Sequence, residues 1–311
     1  MKKFIVLVAA VCMAYTATFA QTVKPFKEGE RAVFLGNSIT DGGHYHSYIW
    51  LYYMTRFPNM PIRIFNGGIG GDTAFDMNKR LDADIFAMQP SVLMVTFGMN
   101  DSGYFEYNGD KAKEFGEEKY QESIKNYQQM EKRFKELPKT RIVMLGTSPY
   151  DETVQLKEGN LFKTKNETIK RIVEYQKESA AKNGWEFSDL NAPMVALNQQ
   201  FQQKDPAFTL CGSDRIHPDN DGHMVMAYLF LKAQGFVGKD VANMEINANK
   251  KEAVKAENCT VSNIKKIGNE LSFDYLAEAL PYPLDTIARG WGQKKSQAEV
   301  TKVVPFMEDM N

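Results

Sequence analysis

A serine at position 38 stands where a strand is expected to give way to a helix. The apolar run at residues 32–35 predicts a buried strand, Gly-Asn follows, and apolar residues at 48, 49, 51 and 52 recur at helical spacing. A hydroxyl on such a turn stands clear of the sheet, beside backbone amides that can stabilise negative charge. Ser38 is therefore a candidate nucleophile, although it could instead only cap the helix.

A carboxylate and an imidazole that could serve this serine occur at Asp214 and His217. An Asp three residues before a His can hold one ring nitrogen while the other faces outward as a base. Pro218 restricts His217 to an extended conformation and so favours a loop. The same spacing recurs at Asp41 and His44, so spacing alone leaves His44 as a second candidate base.

Two further stretches supply groups that can bind an anion. Residues 66–73, Asn-Gly-Gly-Ile-Gly-Gly-Asp-Thr, leave backbone amides uncovered around Gly71. A phosphate-binding loop is the competing interpretation, but the stretch lacks the Lys-Ser/Thr ending of a P-loop and the spacing of a dinucleotide motif. Asn100 adds a side-chain amide after the apolar run 91–97, where an ordinary turn is the alternative.

The elements that must position these residues alternate between strand and helix. Apolar runs predict five strands, and the clearest helices are expected at 120–137 and at 161–183, the latter closed by Gly184. This order predicts a parallel sheet covered on both sides, with ligands at the carboxyl ends of its strands. The five predicted strands lie at residues 32–35, 62–66, 91–97, 141–147 and 185–189.

Taken together and in this order, the four stretches resemble the SGNH (GDSL-like) hydrolase family of esterases and lipases, over about residues 29–236. The resemblance implies an α/β protein with a flavodoxin-like three-layer α/β/α fold and ester hydrolysis through an acyl-enzyme. It implies a catalytic triad of Ser38, Asp214 and His217. It also implies oxyanion donors at the amides of Ser38 and Gly71 and at the Asn100 side chain.

The first block departs from the family's usual Gly-Asp-Ser, because Asn37 stands where an Asp is expected. This replacement keeps hydrogen-bonding groups and removes a charge beside Ser38. Asn37, His44 and His46 are possible substrate contacts, whereas His223 is expected to be an ordinary helix residue. The implied chemistry needs no metal and no cofactor.

The first twenty residues predict a cleaved signal peptide. They contain two lysines, a short apolar run and small residues before Gln21. We therefore expect export to the periplasm or the extracellular space, with no membrane insertion after cleavage. Cys12 could anchor a lipid, but Val11 precedes it where a small residue is expected. Removing this segment changes the formal charge from −1 to −3, a balance that does not favour a nucleic-acid partner.

We expect residues 21–238 to form the hydrolase domain and residues 239–311 a small C-terminal appendage, which could be an incomplete accessory β domain. Within it, residues 261–267 and 270–275 flank Gly268-Asn269 like a hairpin. Tyr282 and Trp291 are expected to pack rather than to bind a glycan. Cys211 and Cys259 could pair, although a core of this size does not need a disulfide.

The leading functional interpretation is an esterase that removes acetyl or another small acyl group from an acylated glycan. Polar loops around Ser38, with no amphipathic lid, suit a hydroxylated leaving group, and Met99, Trp50 and Phe105 could form a small apolar pocket. The expected substrate is thus an acylated glycan or another small ester. One alternative is a lipase, lysophospholipase or thioesterase of the same family, which needs a long apolar acyl groove, and another is a glycan-binding module on an inactive hydrolase scaffold. An acyltransferase would use the same triad.

Overall fold

The computed structural model describes residues 22–157 and 159–311. The predicted signal peptide and Cys12 lie outside the described residues. Five parallel strands form the central sheet in the order β2-β1-β3-β4-β5, which confirms the predicted parallel sheet. The strands are β1 Arg31–Gly36, β2 Arg63–Gly68, β3 Val92–Val95, β4 Arg141–Gly146 and β5 Glu186–Asp189.

Helices cover both faces of this sheet. Ala32 and Phe34 of β1 pack with the helices at residues 45–56 and 220–233, whereas Val33 and Leu35 pack with those at residues 74–80 and 112–135 on the other face. Alternate residues of one strand thus serve two cores, as the pleat of a strand requires. The result is the expected three-layer α/β/α fold. The helices are α1 Ser38–Asp41, α2 Tyr45–Arg56, α3 Ala74–Arg80, α4 Ala112–Lys135, α5 Lys165–Asn183, α6 Asn191–Gln202, α7 Asn220–Ala233 and α8 Phe306–Met310.

Two boundaries differ from the sequence expectation. Helix α4 begins at Ala112, eight residues before the predicted start at 120, because its charged first turns are held by tertiary packing rather than by an apolar stripe. A Cβ at Gly116 would come within 2.7 Å of the Thr168 hydroxyl on α5, so the two helices approach closely there. Helix α5 begins at Lys165 and ends, as predicted, at Gly184 with a left-handed φ of 66°.

Two antiparallel hairpins follow the hydrolase core. Strand β8, Cys259–Ile267, pairs with β9, Glu270–Ala277, around the turn at Gly268-Asn269, which confirms the predicted hairpin. A second pair, β6 Asn243–Asn247 and β7 Glu252–Glu257, was not anticipated from the Lys- and Glu-rich sequence there. Most side chains of both hairpins are exposed.

The chain after residue 278 returns to the hydrolase core. Tyr282, Val300, Phe306 and Met310 are buried in the same apolar cluster as α2 and α7. The boundary predicted at residue 239 therefore does not mark the end of the core, because apolar residues too sparse to form a visible pattern pack against distant helices. Tyr282 is packed as expected, but Trp291 is not, since 99% of its surface is exposed.

Cys211 and Cys259 are both free thiols, and both are buried. In the part of the chain that the structure describes, no helix has both the length and the apolar character needed to cross a membrane.

Candidate active site

In the turn after β1, the Ser38 hydroxyl does not cap helix α1. Asn37 is the N-cap of α1, and its Oδ1 accepts from the amide of Ile39 at 3.1 Å. The alternative in which Ser38 caps the helix is therefore wrong. Asn37 is also 1% exposed, so its predicted contact with substrate is not supported, because its side chain is folded down onto the helix.

Two glycines allow α1 to lie directly on the ends of β1 and β2. A Cβ at Gly36 would stand 2.1 Å from the Thr40 hydroxyl, and one at Gly68 would stand 2.2 Å from the amide nitrogen of Asp41. Real side chains do not fit at either distance. Glycine at both positions therefore lets the two strand ends hold the Ser38 turn rigidly.

Ser38, His217 and Asp214 form one hydrogen-bonded chain. Ser38 Oγ lies 2.8 Å from His217 Nε2, and His217 Nδ1 lies 2.5 Å from Asp214 Oδ2. A carboxylate only accepts, so the Nδ1 proton is donated to Asp214 and Nε2 is left to accept from the serine. The His217 and Asp214 side chains are 46% and 48% exposed, so the chain opens to solvent.

The Asp214 carboxylate is held by backbone amides as well as by the imidazole. Its Oδ1 accepts from the amides of Ile216 and His217, both at 2.9 Å. Burial alone would raise the pKa of Asp214, but the hydrogen bonds from His217 and from these amides outweigh it, and the pKa lies below its usual value. Asp214 is thus the ionised partner that a protonated imidazole needs.

The loop that carries these two residues is fixed from both sides. A Cβ at Gly212 would stand 2.2 Å from the His217 carbonyl oxygen, so only glycine fits there. Arg215, which has a left-handed φ of 68°, turns its guanidinium inward to the carbonyls of Val154 at 2.7 Å and Asp151 at 3.2 Å. The buried arginine therefore holds the turn that brings Asp214 and His217 together.

The remaining histidines have other partners. His44 Nδ1 lies 3.3 Å from the Tyr48 hydroxyl, and its ring packs against that of His223, with ring centres 5.0 Å apart. His46 is buried, contacts the Thr40 carbonyl at 3.2 Å and does not line the cavity, so its predicted contact with substrate is not supported. His44 and the buried His223, which lies in helix α7 as predicted, both line the cavity beside Ser38.

The loop that carries Gly71 and the loop that carries Asn100 meet at the carboxyl edge of the sheet. Asn100 Nδ2 donates to the Asp72 carbonyl at 2.9 Å, and its Oδ1 accepts from the Tyr104 hydroxyl at 2.5 Å. The Gly70 amide donates to the Asp41 carboxylate of α1 at 3.2 Å, and Gly71 follows with a left-handed φ of 85°. These contacts bring the loops of Gly71 and Asn100 against the Ser38 turn.

A buried lysine, which the sequence pattern did not single out, supports the Asn100 loop. Lys165 Nζ donates to the Met99 carbonyl at 2.7 Å, to Ser102 Oγ at 2.6 Å and to the Gly103 carbonyl at 2.5 Å. Burial lowers its pKa to about 7, although nearby Asp101 acts in the opposite direction. Sequence gave no signal for this role, because the contacted groups lie more than sixty residues away.

A cavity of about 790 Å³ opens beside Ser38 and His217. Its apolar wall is built from Leu156, Phe208 and Trp291. The pocket expected from Met99, Trp50 and Phe105 is therefore not the one found, since Met99 is buried and the other two lie outside this wall.

The arrangement can perform acyl transfer, because an imidazole that accepts a serine proton makes the hydroxyl a nucleophile. Within residues 22–157 and 159–311, no group of three or more His, Cys, Asp or Glu side chains is placed to hold a metal ion.

The chain is similar in sequence and in fold to known esterases. The sequence profile of the GDSL-like Lipase/Acylhydrolase family matches residues 34–225. An acetylxylan esterase from Geobacillus stearothermophilus is 27% identical over 224 residues, which make up 67% of this chain and 95% of the relative. The solved structure of Axe2, an acetylxylan esterase from the same organism, is 26% identical with a TM-score of 0.53, covering 68% of this chain and 96% of that one.

The solved structure of a gut microbial diltiazem-metabolizing enzyme is 85% identical with a TM-score of 0.89. The similarity covers 94% of this chain and 66% of that enzyme. This chain therefore spans about two thirds of the length of that relative.

Proposed function

Because the chain belongs to the GDSL-like lipase/acylhydrolase family of carboxylic ester hydrolases, we propose that it removes acetyl or other small acyl groups from carbohydrates. The observation that carries this proposal is the Ser38–His217–Asp214 hydrogen-bonded chain at the wall of a 790 Å³ cavity. A cavity of that size suits a drug-sized ligand, which is far larger than an acetyl group. The leaving alcohol therefore occupies most of it.

In the first step Ser38 Oγ attacks the ester carbonyl carbon while His217 Nε2 takes the hydroxyl proton. Asp214 stabilises the imidazolium through the Nδ1 hydrogen bond. Collapse of the tetrahedral intermediate breaks the bond to the alcohol, which leaves with the proton from His217. A water molecule then repeats the sequence on the acyl-enzyme and releases the acid.

The oxyanion is stabilised by the amides of Ser38 and Gly71 and by the Asn100 side chain. Asn100 donates one amide hydrogen to the Asp72 carbonyl and keeps a second for the oxyanion. Losing one such donor typically costs about 3 to 4 kcal/mol of transition-state stabilisation.

Carbohydrate is the preferred leaving group for two reasons. Both the curated relative and Axe2 are named as acetylxylan esterases. The cavity also presents charged groups beside its apolar wall, including Asp205 and Lys294, which suit hydroxyl groups. Export, predicted from residues 1–20, would bring the enzyme to such glycans outside the cytoplasm.

A drug-sized ester is the second candidate substrate. The 85% identical relative is named as a diltiazem-metabolizing enzyme, and an apolar wall with Phe208 and Trp291 suits a compact aromatic ligand. Both candidates use the same acyl transfer and differ in the alcohol that leaves.

The test measures acetate release from acetylated xylan together with kcat/KM on p-nitrophenyl esters from acetate to octanoate. Each methylene that a pocket buries is worth about 0.8 kcal/mol, so an enzyme with a long acyl groove improves as the chain grows. We expect the highest kcat/KM for acetate or propionate and a sharp fall by octanoate, with Ser38→Ala as the inactive control. A maximum at octanoate would support the lipase alternative instead.

A further inference from the structure

Residues 289–296, here called the C-terminal strap, lie beyond the segment that the family profile matches and form part of the cavity wall. Gly292 and Lys294 of the strap line the same cavity as Ser38 and His217. A segment far from the catalytic residues in sequence thus reaches the place where the leaving alcohol must lie.

The strap is tied to the start of α7, directly after His217-Pro218. Asn220 Nδ2 donates to the carbonyls of Arg289 at 2.9 Å and Lys295 at 3.0 Å, so one side chain holds both ends of the strap. The Asp219 carboxylate accepts from the amides of Lys294 at 2.9 Å and Lys295 at 3.1 Å. These contacts fix the backbone of the strap relative to the His217 loop.

The Lys295 side chain adds a third tie. Its Nζ donates to the Thr209 carbonyl at 2.9 Å and pairs with the buried Asp221 carboxylate at 2.8 Å. Gly290, with a left-handed φ of 107°, lies so close to His44 that an added Cβ would stand 2.7 Å from its ring. The strap therefore packs against His44 and Thr209 of the cavity wall.

Trp291 is the exception within this fixed segment. It stands between Gly290 and Gly292, which both have left-handed φ angles, and its side chain is 99% exposed while it lines the cavity. The tied backbone fixes the position of this large aromatic residue, so only its two side-chain torsions remain to be ordered on binding.

We propose that Trp291 is the platform on which a saccharide ring of the leaving alcohol stacks. The inference rests on the proposed function. The negative π face of an indole attracts the weakly positive C–H face of a pyranose, and the neighbouring Asp205 and Lys294 can bond to the ring hydroxyls. The acyl group does not need this surface, because its carbonyl must lie at Ser38.

The kinetic test compares Trp291→Ala with Ile287→Ala, a matched control that removes another exposed apolar side chain just before the strap. For acetylated xylotetraose we expect Trp291→Ala to raise KM roughly tenfold with kcat within twofold. For ethyl acetate, whose alcohol has no ring, neither variant changes kcat/KM. Trp291→Phe restores part of the saccharide KM.

Three kinetic outcomes would overturn the inference. A parallel loss on ethyl acetate would mean that Trp291 supports the catalytic groups rather than the alcohol. If the KM of Trp291→Ala for acetylated xylotetraose were no higher than that of Ile287→Ala, Trp291 would not be a saccharide platform. A loss confined to p-nitrophenyl acetate would assign Trp291 to aromatic alcohols instead of sugars.

Binding of unacetylated xylotetraose to the Ser38→Ala protein, measured by calorimetry, separates this inference from the proposed function. We expect Kd to rise roughly tenfold when Trp291→Ala is added. If that dependence holds but the wild-type protein releases no acetate from acetylated xylotetraose, the platform stands and the proposed function fails. Equal affinity with and without Trp291, or no binding at millimolar xylotetraose, contradicts the platform.

Discussion

At the scale of single residues, the Ser38 hydroxyl, the His217 ring and the Asp214 carboxylate share one continuous line of hydrogen bonds. Asp214 is further held by the amides of Ile216 and His217, so the ring has one orientation and one tautomer. Each member needs the next to be effective. Removing Ser38 or His217 alone should therefore lose nearly as much as removing all three, whereas removing Asp214 alone should lose less.

Ser38→Ala is expected to lower kcat by about four to six orders of magnitude, since the nucleophile is absent. His217→Ala should lose a similar amount, and the double variant should be no worse than either single one. Initial rates of p-nitrophenyl acetate hydrolysis, with purity checked by mass spectrometry, measure this. Near-wild-type turnover by Ser38→Ala would show that Ser38 is not the nucleophile.

His44→Ala is the matched histidine control. Its ring contacts Tyr48, His223 and the strap at Gly290, whereas Ser38 Oγ is paired with His217. We therefore expect kcat within about tenfold of wild type. A larger loss than that of His217→Ala would make His44 the base.

His46 makes the fold sensitive to acid. Burial lowers its pKa from 6.5 to about 4, with nearby His44 adding to the shift and the Thr40 carbonyl opposing it. The unfolded chain therefore binds more protons between these values, and the free energy of unfolding falls as pH drops from 6.5 towards 4. At pH 4 this group alone costs about 3 kcal/mol.

His46→Gln should remove this part of the acid lability, because an amide can donate to the Thr40 carbonyl without titrating. Urea unfolding at pH 7.5, 5.5 and 4.5 would show a shallower pH dependence for the variant than for wild type. An unchanged slope would mean that His46 does not have a lowered pKa. His44→Gln, at a less buried position, serves as the comparison.

At the scale of elements, two loops are locked together at the carboxyl edge of the sheet. Asn100 bonds to the Asp72 carbonyl, and the buried Asp101 carboxylate accepts from the amides of Ala74 and Gly98, both at 2.9 Å. The Tyr104 hydroxyl donates to Asn100 Oδ1 and so fixes the orientation of the Asn100 amide. The side chain of Asn100, the proposed oxyanion donor, is thus oriented before substrate arrives, as electrostatic stabilisation of an oxyanion requires.

Tyr104→Phe should lower kcat about tenfold with KM within twofold, because the Asn100 amide loses its orienting bond but keeps its position in the loop. Tyr107→Phe is the matched control, since its hydroxyl bonds to the Ser102 carbonyl and to Thr168 rather than to Asn100. Steady-state kinetics on p-nitrophenyl acetate distinguish them. Equal losses in both variants would indicate general loosening of the loop.

At the scale of the whole molecule, the C-terminal residues complete the core that supports the site. Phe306 is fully buried against Tyr228 and Tyr282, and Val300 lies in the same cluster. The two hairpins between α7 and this tail contribute mostly exposed side chains. The tail therefore belongs to the folded unit, although hairpins separate it from that unit along the chain.

Phe306→Ala should lower the free energy of unfolding by about 3 to 5 kcal/mol, because it leaves a cavity in the core. Leu276→Ala in β9, where the side chain is 65% exposed, should change it by no more than about 0.5 kcal/mol. Urea denaturation of both variants provides the measurement. A cost below about 1 kcal/mol for Phe306→Ala would show that the tail is not part of the cooperative unit.

The sequence by itself determined the parallel sheet and the residues of the hydrogen-bonded chain. Buried strands such as residues 32–35 are recognisable in the sequence as apolar runs, because a strand covered on both faces carries few polar side chains. Ser38, Asp214 and His217 were candidates from their local stretches, and the resemblance of the four stretches together to the SGNH hydrolase family selected His217 over His44 as the base.

Only the tertiary structure decided that Asn37 rather than Ser38 caps α1, that Lys165 supports the Asn100 loop, and that Trp291 reaches the cavity. Each depends on groups distant in sequence or on competition between neighbouring side chains for one amide. A charged residue on a helix or an isolated Trp between glycines has no periodic signature. Which of many such contacts forms depends on tertiary packing, and the local sequence pattern does not specify it.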